Sequence, residues 1–255
     1  MNLDNLSHRK HKASSLSIHP YFGKLDPALA SSLIGQLTPS KSDVILDPFC
    51  GSGTVLHEAV SLGYSAVGWD SSPLACMIST AKLLGLNEFE RQELDHVRRR
   101  VSEAMRTPSS ARIWSPNSTR VRSLESWFGP FALRDLGIIK SELQNLKETI
   151  SPESHLLSLI SFSRIVTAAS YQQGESTYRR VEKPDGEGRV ERLFKKSLSS
   201  VIDAASSFTD SALARPPATG RLRMSDSTYA VLHDEFSVTV HNQDARTSPS
   251  LSGKK

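Results

Sequence analysis

An α/β fold built on a doubly wound sheet is predicted by three features of this 255-residue sequence. The apolar run Val44-Ile45-Leu46 ends on Asp47 and passes through a glycine-containing turn into a helix. A second strand, Ser65 to Asp70, also ends on an acid and also leads into a helix. After residue 88 the apolar spacing turns helical, and a third strand arrives only at Phe236 to Asn242. The sheet is therefore expected to be incomplete, with a large, mostly helical insertion at 88–235.

Val44, Ile45 and Leu46 are all apolar, the pattern of a strand buried on both faces of a parallel sheet. Asp47 stands at its carboxyl end, where open α/β sheets bind their ligands. Gly51 and Gly53 lack a Cβ, so the backbone can turn sharply there and a ligand can approach it closely. Thr54 to Leu62 has helical apolar spacing, and Gly63 is placed to end it. Asp70 lies roughly 20 residues beyond Asp47, the distance at which an acid accepts hydrogen bonds from ribose hydroxyls in nucleotide-binding folds. Ser72 and Pro73 supply an N-cap and a first helical residue for a helix running to Leu84, which Gly85 can end.

The glycine spacing is not G-x-G-x-x-G, which disfavours a nicotinamide dinucleotide. Thr54, not Lys, follows the second glycine, which disfavours a phosphate-binding loop. What remains is a cofactor with a ribose but no pyrophosphate.

Asp47-Pro48-Phe49-Cys50-Gly51-Ser52-Gly53-Thr54 resembles the cofactor motif of the S-adenosylmethionine-dependent DNA amino-methyltransferases, the N4-cytosine and N6-adenine enzymes. His19-Pro20-Tyr21-Phe22-Gly23-Lys24-Leu25-Asp26-Pro27 resembles the segment that precedes the motif in that family and covers the methionine end of the cofactor. Gly68-Trp69-Asp70-Ser71-Ser72-Pro73-Leu74-Ala75 resembles the second cofactor motif, with Ser72 where Asn is usual. The resemblance is specific over residues 19 to 85.

It implies a Rossmann-like methyltransferase sheet and S-adenosyl-L-methionine as cofactor. Its cofactor-binding set here would be Asp47, Pro48, Phe49, Gly51, Ser52, Gly53, Thr54, Asp70 and Asp244. Asp47 and the Gly51–Gly53 turn would meet the methionine part, Asp70 the ribose, and Asp244 the adenine. An ordinary turn aspartate is the alternative for Asp244, and plain core packing for Phe49. His19 and Lys24 are weaker candidates.

An exocyclic amino group is a poor nucleophile because its lone pair is delocalised into the base. Its methylation needs hydrogen-bond acceptors and an aromatic ring stacked on an extruded base. The family supplies these with an acceptor, two prolines and an aromatic residue, and that pattern does not occur in this sequence. Arg215-Pro216-Pro217-Ala218 lacks the acceptor and the ring, while Thr247-Ser248-Pro249-Ser250 begins like the pattern and departs from it. No catalytic residue is assigned. A truncated relative of a longer enzyme is expected, in which a second polypeptide could complete the fold; with strands missing, the first strand would be an exposed apolar edge.

The organisation expected is a basic arm at 1–18, a cofactor-binding half at 19–87, the insertion, a third core strand at 236–246 and a disordered tail at 247–255. The insertion holds helical patterns at Glu90–Met105, Leu133–Ile150, His155–Ser170 and Arg189–Ser206, either a target-recognition region or a scaffold. No apolar run is long enough for a membrane span and no signal peptide is evident, so a cytoplasmic protein is expected. Cys50 and Cys76 show no metal-ligand spacing, and no metal site is expected. Lys and Arg number 31 against 27 for Asp and Glu, with a pI near 9.1. The basic clusters His8-Arg9-Lys10-His11-Lys12, Arg98-Arg99-Arg100 and Tyr178-Arg179-Arg180 favour a polyanionic partner. With the resemblance, this points to duplex DNA and to a site-specific enzyme of the restriction-modification kind. The alternatives are a guanosine-N2 RNA methyltransferase, whose cofactor motif can read the same, and a non-catalytic cofactor-binding remnant.

Overall fold

The computed structural model describes residues 14–37, 40–107, 124–174, 177–211, 221–233 and 237–247. The basic cluster at 8–12, Pro216-Pro217, Phe236 and the tail from 248 onward lie outside the described residues. A 3₁₀ turn, Ser15–Ser17, leads to α1 (Pro27–Leu37), β1 (Val44–Asp47), α2 (Thr54–Ser61), β2 (Ser65–Asp70) and α3 (Pro73–Ala81). Then follow α4 (Glu88–Arg106), α5 (Pro130–Leu146), α6 (Pro152–Ala169), the hairpin strands β3 (Gln172–Gly174) and β4 (Thr177–Arg180), and α7 (Arg189–Ser211). The strands β5 (Arg221–Ser225), β6 (Thr228–Leu232) and β7 (Ser237–Asn242) come next, and a second 3₁₀ turn, Ala245–Thr247, closes the order.

The architecture is mixed α/β. The three strands expected from the sequence are neighbours: β1 pairs parallel with β2, and β2 parallel with β7. The antiparallel hairpin β5–β6 extends the same sheet beyond β7, giving the order β1-β2-β7-β6-β5. The sequence does not announce this hairpin, because Leu222 is the only buried residue of β5. β3 and β4 form a separate two-stranded sheet.

Burial of β1 on both faces is not what the structure shows. Val44 is 58% exposed and Leu46 37%. The register places Ile45, Ala66 and Val238 on one face, together with Gly68 and Val240, and most of these are buried under α2 and α3. Val44 and Leu46 belong to the other face, on a strand that among the described residues has a neighbour on one side only. That leaves an unpaired apolar edge of the kind that invites association.

The helices form where local signals specify them. Ser72 accepts from the Ala75 amide to cap α3, with Pro73 in the first turn. Asn87 and Glu90 form a reciprocal capping box at the start of α4. In α7 the residues Val190, Phe194, Leu198, Val201, Ala205 and Phe208 recur at helical spacing and are all buried. They join Leu94, Ile139, Leu157, Leu56 and Val238 in one continuous apolar cluster, so the helices of 88–211 pack directly onto the sheet half.

The start of α5 is capped from a distance. Gly129 offers no side chain, and the Asp185 carboxylate instead accepts from the Phe131 amide at 3.0 Å and the Ala132 amide at 2.9 Å. An anion at these unpaired amides also meets the positive end of the helix dipole. Asp185→Ala is expected to lower the unfolding free energy by about 1–2 kcal/mol, with Asp185→Asn intermediate, as read from urea denaturation midpoints at unchanged slope.

Candidate functional site

The parallel pairing of β1 and β2 sets Asp47 opposite Gly68, so Asp47 and Asp70 sit at the same carboxyl edge of the sheet. The turn between β1 and α2 is welded to that edge. The Cys50 amide donates to the Trp69 carbonyl at 2.9 Å, and the Gly51 amide donates to Oδ2 of Asp70 at 2.9 Å. Within the turn, the Gly53 amide donates to the Cys50 carbonyl at 2.7 Å. Gly51 and Gly53 have φ of 50° and 76°, the left-handed region that other residues enter at a cost. A Cβ on Gly53 would stand 2.5 Å from Cβ of Ser79 and 2.8 Å from its Cα, so α3 leaves no room for a side chain there.

Asp70 is half-buried and accepts on its other oxygen from the Ser72 amide at 2.8 Å. Its backbone carbonyl receives the Gln243 amide at 2.9 Å and the Asn242 side chain at 3.1 Å, so the chain leaving β7 bends against the same edge. The Tyr21 ring lies beside Gly51, where a Cβ would come within 3.4 Å of it. Burial, helped by the Asp70 charge, raises the pKa of the Tyr21 hydroxyl. Burial also raises the pKa of Asp47, with the Asp70 charge adding to it, against a hydrogen bond from the Phe49 amide. The edge thus gathers two carboxylates, partly exposed backbone at Gly51 of a tight turn, and an aromatic ring.

The other residues singled out from the sequence are spread around this centre. Phe49 is 77% exposed, which sets aside a core-packing role for its ring. Pro48 is partly exposed, Ser52 and Thr54 are buried, and Thr54 is the first residue of α2. Asp244 lies in the segment beyond β7, next to Gln243, and its carboxylate is engaged by the Arg246 guanidinium at 2.6–3.1 Å. Hydrogen bonds from the Arg246 side chain and backbone hold its pKa down to about 2.

The segment 14–24 is strapped onto the site from the helical region. His19 is buried, with Nε2 3.2 Å from Oγ of Ser163 on α6, and Arg164 donates to the carbonyls of Ser17 and Ile18. Lys24 donates to the His19 carbonyl at 2.8 Å and the Leu16 carbonyl at 3.2 Å. Ser15 meets Nε2 of His57 on α2 at 2.7 Å. Of the basic clusters, Arg98 pairs with Asp95 and Arg100 with Glu142, which neutralises part of that stripe.

Sequence reasoning misses Lys82. It follows α3 and is wholly buried, at 0% exposure, with Nζ donating to Oγ of Ser52 at 3.1 Å. The signal is present in the spacing: Cys76, Ser79 and Lys82 fall on one helical face, the face turned to the glycine turn.

Residues 3–81 match the family described as DNA methylase. The chain is similar to the Type II methyltransferase M.MjaII of Methanocaldococcus jannaschii, 38% identical over 94 residues, which is 37% of this chain and 17% of that protein. It is 36% identical over 75 residues, 29% of this chain and 14% of the relative, to the Type II methyltransferase M.BsoBI of Geobacillus stearothermophilus. An uncharacterized methyltransferase, C70.08c of Schizosaccharomyces pombe, is 40% identical over 63 residues, 25% of this chain and 24% of its own. No solved structure matches the chain. The chain thus spans less than a quarter of the length of each of these relatives. The resemblance to DNA amino-methyltransferases read from the motif residues holds over residues 3–81.

The packing at Gly53 can be separated from backbone strain. Gly63 has nearly the same φ, 79°, and open space around its would-be Cβ. Gly63→Ala is expected to cost about 1–2 kcal/mol for the left-handed backbone alone. Gly53→Ala is expected to cost at least about 1–3 kcal/mol more, because Ser79 must move. Equal denaturation midpoints for the two variants would contradict the close approach of α3 to the turn.

Proposed function

We propose that this chain carries the S-adenosylmethionine-binding part of a DNA methyltransferase that modifies an exocyclic amino group, N4 of cytosine or N6 of adenine. One observation carries the reading: within the segment that matches the DNA methylase family, the glycine turn and Asp70 are locked together at the carboxyl edge of β1 and β2. That placement fits a ribose-bearing ligand with no pyrophosphate. Asp70 remains partly exposed, with oxygen lone pairs left for two hydroxyls, and the missing Cβ at Gly51 leaves the backbone approachable beneath Tyr21. Exposed Phe49 offers an apolar surface beside it. Asp47, its pKa raised by burial, is the second acid of the edge.

When bound, the cofactor supplies a methyl group on a positively charged sulfur, ready for displacement by an amino nitrogen. The residues here hold and orient; acceptors for the amino hydrogens and a ring to stack the base are the part of the chemistry this sequence does not spell out. The edge at Val44 and Leu46, unpaired among the described residues, is where further strands would add. DNA is the substrate favoured, since two of the relatives are named Type II methyltransferases, residues 3–81 match the family described as DNA methylase, and the composition is basic. The missing acceptor–Pro–Pro–aromatic pattern favours one second reading, a binding protein without transfer activity.

Calorimetry with S-adenosylmethionine is expected to show binding that Asp70→Ala weakens by about 1.5–3 kcal/mol, some 10- to 150-fold. Wild-type affinity in that variant would place the site elsewhere. Tritium transfer from the labelled donor then separates the readings: label on duplex DNA supports the enzyme, label on tRNA a guanosine-N2 activity, and binding with transfer to neither the non-catalytic protein.

A further inference from the structure

We propose that Lys82 is a proton-linked positioning residue: a carboxylate held at the glycine turn is answered by protonation of the Lys82 amine, relayed through the Ser52 hydroxyl. The inference deepens the reading above and rests on it, since the methyl donor carries its carboxylate at its methionine end.

Lys82 is a fully buried amine aimed at the one side chain between the two turn glycines. Ser52 is itself only 3% exposed, and its Oγ is 3.1 Å from Nζ of Lys82. Among the described residues no ion pair includes Lys82. The charged and titratable groups around it are Lys24 and His19 from the segment before α1, Cys50 in the turn and Glu58 on α2. Arg164 of α6 lies beyond, against His19 and Lys24. The Lys24 charge disfavours a further cation at Lys82, while Cys50 and Glu58 act in the opposite sense. Burial keeps the Cys50 thiol protonated, and Glu58 is already engaged by His57 and Ser31. Burial first, and then the Lys24 charge, lowers the Lys82 pKa to about 7.

The hydrogen bond gives this residue two states. A neutral amine has a lone pair and can accept the Ser52 proton, drawing that hydroxyl inward. An ammonium has only donors, so Ser52 must accept from it and its own O–H is released toward the turn. An anion at the turn needs that second arrangement and the positive charge behind it. It therefore raises the affinity of Lys82 for a proton, and by linkage proton uptake favours the anion. One N–H bond to nitrogen and one O–H rotation change; the proton comes from solvent. Below the pKa of the empty protein the amine is already charged and uptake vanishes, so the coupling belongs to the range above about 7.

The test is calorimetry of S-adenosylmethionine binding between pH 7 and 9 in two buffers of different ionisation enthalpy, comparing wild type, Lys82→Met and Ser52→Ala. Wild type is expected to take up a fraction of a proton more than Lys82→Met. Its affinity relative to that variant should fall with rising pH, by at most about tenfold per unit. The comparison cancels titration of the donor itself. Ser52→Ala should lose the coupling while Lys82 still titrates, followed by nitrogen NMR of the side-chain amine in the ligand-free protein. Equal proton uptake in wild type and Lys82→Met overturns the inference and leaves the cofactor reading standing. So does a Lys82 amine that titrates at the ordinary lysine value. Coupling retained in Ser52→Ala overturns the relay. No binding of the donor by wild type overturns the cofactor reading, and this inference with it.

Discussion

The Gly51 amide points at the Asp70 carboxylate across 2.9 Å, and the rest of the site depends on that contact. It ties the turn after the first strand to the end of the second, and the neighbouring bond from Cys50 to the Trp69 carbonyl repeats the tie in the backbone. Two residues far apart in sequence become one rigid edge. The tie is possible because β1 and β2 run parallel in a fixed register and because the glycines accept dihedrals that other residues resist. Their close packing continues behind the turn. Gly68 has no room for a side chain, since a Cβ would come within 2.6 Å of Leu56 and 3.0 Å of the Cys50 sulfur. A small residue at that place in β2 is thus a packing requirement of the turn.

Around this edge the helical region acts as a brace. Arg164 and Ser163 on α6 hold the segment carrying His19 and Tyr21, and Phe208 on α7 lies 5.3 Å from the ring of His57. Glu153 at the start of α6 accepts from the Leu222 amide at 2.7 Å, fixing the hairpin that extends the sheet. These contacts give the helices of 88–211 a structural part in the site: they set where Tyr21 stands over the turn. Lys82 sits inside the same brace, where its burial and its single hydroxyl partner combine structural support with a titratable group.

The flank formed by β1 and α1 carries exposed apolar surface. Among the described residues β1 has one neighbour, and Val44 and Leu46 are exposed on it. Leu29, Leu33 and Leu37 also stand exposed along α1 at intervals of one helical turn. Both are places where apolar surface meets water, a cost that pairing or packing would relieve.

The sequence by itself determined the two strand–turn–helix units, the acids that end both strands and the helices with strong caps, because each rests on interactions within about ten residues. Asp47, Asp70 and the Gly51–Gly53 turn were legible for that reason, and so was the resemblance they carry. Asp244 is a local exception: its place after a strand could be read, but not that Arg246, only two residues on, would hold its carboxylate. An exposed edge at β1 was already implied by the strands missing from the pattern; the tertiary structure alone decided that β5 and β6 join the sheet beyond β7 and that Asp185 caps a helix starting more than fifty residues earlier. It alone put Lys82 behind Ser52. For Asp185 and Lys82 the partner lies far along the chain, and the pattern of one segment records its own periodicity but not which distant surface it will meet.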